Sequence, residues 1–145
     1  MLTARDLKVQ RVLDANFNRA KEGLRVCEDV CRFIYDDRLA ARRFKDIRHE
    51  MAAVMTRMKW QAAVHARDIR GDVGRLSTLP EMSRKTVEDV LFANMQRVKE
   101  SVRVLEEFSK LSSVKNAEDL KRMRYRLYHI ERLVIKKMGT GRGNF

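Results

Sequence analysis

Asn16, Arg19, Glu22, Arg25 and Glu28 follow one another at three-residue steps, and so do Asn94, Arg97, Glu100, Arg103 and Glu106. An amide, a guanidinium and a carboxylate in that order can bind and orient an anion. Arginine's planar fork suits phosphate or carboxylate oxygens taken two at a time. On a helix each three-residue step turns back by about 60° from the line of the axis. Laid against the apolar residues, the ladder therefore winds from the apolar face to the polar one. Asn16, Arg19, Asn94 and Arg97 fall among core positions, and Glu22 and Glu100 fall at the border. Arg25, Glu28, Arg103 and Glu106 fall outside, as surface ion pairs. Buried amides and guanidinium groups need partners. The expected arrangement is an anion pocket lined by Asn16, Arg19, Asn94 and Arg97, with a polar network between helices as the plain structural alternative.

A second group of reactive types lies in "ARDIRGDVGRLSTLPEMS", residues 66–83. Arg67, Asp68, Asp72 and Glu81 gather there around Gly71 and Gly74, with Arg84 just beyond. Two carboxylates beside arginines could hold Mg²⁺ and clamp phosphate oxygens. Asp68 and Asp72 are the expected metal ligands, although loop acids are also common turn formers. Cys27 and Cys31 stand four apart on an apolar helical face and read as packed thiols. His49, His65 and His129 show no metal-ligand spacing.

These residues must be carried by helices. The chain has 145 residues, one proline and six glycines, and 36% of it is charged against 44% hydrophobic. That is the composition of one all-α domain built from amphipathic helices. Helix one is predicted from Thr3, its cap, to about Tyr35. Asp36 and Asp37 cap helix two, which runs to about His65. Helix three runs from about Ser83 to Leu111, and helix four from its cap Asn116 to about Met138. The halves are a repeat: residues 4–65 and 84–138 flank the 66–83 loop in a domain of residues 1–138, and 139–145 read as a flexible tail. Helix one matches helix three at an offset of 78 residues (Asn16 to Asn94), and helix two matches helix four at 76 (Arg48 to Arg124). The expected fold is two helical hairpins about a pseudo-twofold axis, forming a four-helix bundle.

The net charge is +12, with arginine about twice as common as lysine. An anionic partner follows. Acids are interleaved with bases and no run of five like charges occurs, which disfavours a plain nucleic-acid binder. The first ten residues lack the apolar core of a leader, and no apolar stretch approaches a membrane span, so a cytoplasmic protein without membrane contact is expected. The long amphipathic helices are compatible with a homodimer.

"DANFNRAKEGLRVCEDVCRF", "ARDIRGDVG", "SRKTVEDVLFANMQRVKESVRVLEEFSKL" and "MRYRLYHIE" resemble the small helical domain often fused ahead of thiamine phosphate synthase. That family is described as a monofunctional hydroxymethylpyrimidine phosphate kinase. The resemblance spans about Gln10 to Glu131. It implies ATP and Mg²⁺ as cofactors, phosphorylation of a phosphorylated pyrimidine in thiamine biosynthesis, and thiamine phosphate synthase as a partner. Arg75 stands where the family often has threonine after the loop's Asp-x-Gly. On this reading Arg19 and Arg97 hold phosphate, Asn16 and Asn94 orient it or the pyrimidine, and Asp72 with Asp68 holds Mg²⁺. Glu22 and Glu100 border the site, and Arg67, Arg84, Arg48 and Arg124 supply further contacts. No Walker loop is present. Two alternatives remain at this level: a non-catalytic binding or regulatory domain for a pathway partner or nucleic acid, and a chorismate-mutase-like helical enzyme.

Overall fold

In the computed structural model, which describes residues 2–78 and 82–140, the chain forms four long α-helices. Helix α1 spans Ala4–Asp29, α2 Arg38–Arg57, α3 Val87–Ser109 and α4 Val114–Thr140. A π-helical turn, Val30–Ile34, closes α1, and a 3-10 segment, Trp60–Ala66, follows α2. No strand occurs among the described residues, so the all-α hairpin repeat expected from periodicity is what forms.

Local chemistry sets the helix ends. Thr3 and Asp6 make a reciprocal capping box at α1, as the sequence predicts, and the Asp37 carboxylate accepts from the Ala40 N–H at α2. Three boundaries differ from expectation. Thr86, not Ser83, caps α3, with Asp89 completing a second box. Ser113 takes the capping role assigned to Asn116: its Oγ accepts from the Asn116 N–H at 3.3 Å. Asn116 is buried one turn in and accepts from Arg57 at 3.2 Å. Helix α2 stops eight residues before His65, at Arg57. Lys59 then adopts a left-handed φ of 54°, and the chain turns back along α1. The apolar pattern hid this break, because Trp60, Ala63 and Ala66 also share one face at 3-10 spacing. Glu81 and residues 141–145 of the expected tail lie outside the described residues, while Gly139 and Thr140 belong to α4.

One core runs through all four helices, centred on Leu24, Phe44, Ile47, Met51, Leu91, Met95, Leu105, Leu120 and Leu127. Helices α1 and α3 lie antiparallel at its centre, with Gly23 against the Asn94–Val98 turn and Cys27 Sγ 3.9 Å from the Leu91 carbonyl. That register sets Ala20 beside Val98, its own counterpart in the second repeat. The outer helices meet the same way, where Arg126 donates to Glu50, again its counterpart, at 2.5 Å. The pseudo-twofold axis passes through both pairs.

Candidate functional site

The polar ladder is inverted relative to expectation. Its outer carboxylates are the buried ones: Glu28 is 4% exposed and Glu106 3%. Arg48 Nε reaches Glu28 Oε2 at 3.0 Å, and Arg124 Nε reaches Glu106 Oε2 at 2.7 Å with Nη2 3.3 Å from Oε1. Each hairpin thus carries one glutamate clamped by an arginine from its second helix, at equivalent positions. The Glu106 hydrogen bond, then that of Tyr128, raises the Arg124 guanidinium above its usual pKa. Arg25 and Arg103 flank the pairs from outside. Arg48 and Arg124, expected on phosphate, are engaged inside the hairpins.

The inner rungs do not enclose a pocket. Asn16 is buried, but its amide donates to the Val12 carbonyl at 2.9 Å; Asn94 does the same to Val90 at 2.8 Å. Both are satisfied within their own helices. In the antiparallel register they stand eight residues apart, about 12 Å along the axis. Arg19 and Arg97 flank the pseudo-twofold axis but are exposed to solvent, as are Glu22 and Glu100. Among the described residues, neither arginine makes an ion pair or hydrogen bond. A single apolar stripe describes a helix with one neighbour; α1 packs against α2, α3 and the 3-10 segment, so its buried arc takes in Asp14 and Glu28 and leaves Arg19 outside.

The loop disperses its group as well. Arg67 forks onto Asp14 of α1, Nε to Oδ2 at 2.5 Å and Nη2 to Oδ1 at 2.7 Å, which raises the guanidinium pKa. Asp68 accepts from the Gly71 N–H and Asp72 from the Gly74 N–H, each forming its own turn. Arg84 is exposed and donates to the Ser83 carbonyl. Among the described residues, no group of three or more histidine, cysteine or acidic side chains is placed to hold a metal ion.

One concave feature is absent from the sequence reading. A cleft of about 890 Å³ opens at the end of the bundle where α1 and α4 finish and α2 and α3 begin. Cys31, Tyr35 and Asp37 form one wall, Glu88 and Phe92 of α3 a second, and Val134, Ile135 and Met138 of α4 a third. Tyr35 donates its hydroxyl to Glu88 at 2.8 Å, and Lys137 bridges to Asp37 at 2.7 Å. Burial, then the Glu88 bond, pushes the Tyr35 pKa up to about 12. Around the cleft, Phe33, Ile34, Leu39, Val87, Phe92 and Ile135 are exposed. The one signal available in sequence was this surplus of large apolar residues at repeat ends, off the core stripe.

Cys31 forms the cleft floor and Cys27 lies deeper; they are 1% and 0% exposed, as packing predicts. Burial raises both thiols, Cys31 to about 12. Since the thiolate is the nucleophile, a disulfide reagent at pH 8 should react about a thousandfold more slowly with the native protein than with the unfolded chain. Absorbance of the released thiol measures this. Rapid labelling of Cys31 without denaturant would show that the cleft floor opens.

The fold is a duplicated four-helix bundle whose cleft end carries an apolar rim. The chain belongs to the ThiD2 family, which it matches over residues 11–133. It is 44% identical over 126 residues to a thiamine-phosphate synthase of Nostoc punctiforme, covering 85% of this chain and 34% of that protein. A thiamine-phosphate synthase of Rhodopirellula baltica is 37% identical over 139 residues, covering 95% of this chain and 37% of that protein. One from Synechocystis is 40% identical over 134 residues, covering 90% and 37%. The chain therefore spans about a third of the length of the curated relatives it matches. No solved structure matches it. The thiamine-biosynthesis affiliation expected from the motifs stands. The expected phosphotransferase does not: these relatives are named for a synthase, not a pyrimidine phosphate kinase, and the kinase reading is overturned. No described helix is long and apolar enough to cross a membrane.

Proposed function

We propose that this chain is a helical binding module that works with a thiamine-phosphate synthase in thiamine biosynthesis, and that the cleft end is its working surface. The observation that carries the reading is the match of nearly the whole chain to one part of several thiamine-phosphate synthases. The geometry supports binding: the cleft is concave, largely apolar, and has a few fixed polar groups at its rim. We place the protein in the cytoplasm, where its two free cysteines stay reduced.

The test is a synthase assay with and without the chain. Added in excess to the synthase of the same organism, the chain should change KM or kcat/KM by about fivefold, the scale of ordinary coupling between sites. Unchanged kinetics, together with no association in a direct binding measurement, would overturn the reading.

A further inference from the structure

The two ends of the bundle are equivalent by the repeat, yet among the described residues only one is covered. After α2 the chain breaks at Lys59 and folds back, laying the 3-10 segment along α1. There Trp60 packs at a tilt against Phe17, ring centroids 5.1 Å apart, and Arg67 locks onto Asp14. The residue equivalent to Lys59 in the second repeat is Ile135, at the same offset that relates Arg48 to Arg124. No break occurs there, and α4 runs on to Thr140. The face of α3 equivalent to the one that Trp60 and Arg67 cover on α1 is left open. Phe92, the counterpart of Asp14, is 37% exposed there, with Ile135 47% exposed opposite.

We infer that this open end docks a segment of the synthase polypeptide, which presents a large aromatic or aliphatic side chain to the cleft between α3 and α4 as Trp60 does at the other end. The inference rests on the functional reading above. Three observations favour this occupant. The covered end is an internal template for what such an end accepts, an aromatic on a tight turn anchored by an ion pair. Phe33, Ile34, Leu39, Val87, Phe92 and Ile135 give this end an exposed apolar rim, and a contiguous patch of that kind marks an interaction site. In the homologues this domain stands N-terminal to the rest of the synthase, and the last turns of α4 wall the cleft, so the following polypeptide leaves beside it. A partner held so close binds at a high effective concentration.

Amide hydrogen exchange of the chain, alone and mixed with the thiamine-phosphate synthase of the same organism, tests this. The synthase should slow exchange about tenfold in residues 87–96 and 134–139, and Phe92→Ala and Ile135→Asp should each weaken association about tenfold, as buried interface anchors do. Both variants should keep the melting temperature within a few degrees; if one does not, the exchange pattern of the wild-type chain decides. Association with protection elsewhere would overturn the cleft while leaving the functional reading intact; no association, with unchanged synthase kinetics, would remove both. Two further results would also overturn the proposal. One is protection that appears in the chain alone and is lost when it is shortened to end at Thr140, which assigns the cleft to its own last residues. The other is protection in the chain alone that grows with its concentration, which assigns it to a second copy.

Discussion

Replacing Glu106 by alanine should lower the unfolding free energy by about 3 kcal/mol, the low end for breaking a buried ion pair. The carboxylate is 3% exposed and takes both Arg124 Nε and Nη2, while the Arg124 side chain is only 11% exposed. Truncation leaves that guanidinium buried without its counter-ion, and the desolvation cost is then uncompensated. For a chain of this length the melting temperature should fall by roughly 10 °C. The companion variant separates loss of the pair from loss of packing. Glu106→Ala combined with Arg124→Met should recover most of the stability, because an apolar replacement of a buried pair is often neutral. Urea denaturation of wild type, both single variants and the double variant measures it. Equal losses in the single and double variants would show that the pair contributes nothing beyond volume.

The same pair explains what was and was not legible in the sequence. Four helices, two hairpins and the duplication could be read from the apolar period and the 78-residue offset, because those depend on one helix at a time. Caps at Thr3 and Asp37 could be read for the same reason. The burial of Glu28 and Glu106 could not. It depends on which two neighbours each helix has, and on an arginine about 20 residues away that folds back across the hairpin. An apolar stripe read along one helix puts Arg19 inside and Glu28 outside, because it allows a single contact face. The loop residues failed differently: Asp68 and Asp72 are used up by the turns they make, and Arg67 by Asp14. Residue types alone do not distinguish a carboxylate that caps a glycine turn from one that waits for a metal.

The cleft was hidden for a third reason, the departure of the copies from each other. Duplication makes two like ends, and whatever covers one end must be supplied again at the other. In the first half a left-handed Lys59 and Trp60 supply it. In the second half the helix continues through Ile135, and no described residue covers the end. A function built on this asymmetry leaves no local motif. It appears only when equivalent positions are compared in three dimensions, and not in the conspicuous Asn-Arg-Glu ladder.

The two halves approach closely at Gly23, and this contact yields the second large effect. A Cβ added at Gly23 would lie 2.7 Å from Val98 Cγ2 and 3.2 Å from the Asn94 backbone carbonyl. Valine in a helix has one strongly preferred rotamer, so its methyl cannot simply turn aside. The carbonyl belongs to the α3 ladder, so the helices must separate. Alanine recovers about 1 kcal/mol of helix propensity over glycine. Overpacking a close-packed core costs about 1–3 kcal/mol, so Gly23→Ala should be destabilising by about 1 kcal/mol net, and Gly23→Val by clearly more. Adding Val98→Ala to Gly23→Ala should return part of the loss, since it removes the nearer of the two obstacles. Thermal melts of the four proteins decide it. If Gly23→Ala instead raises the melting temperature, α1 and α3 have slack at their crossing, and the close approach of the repeats is not what holds the cleft walls in register.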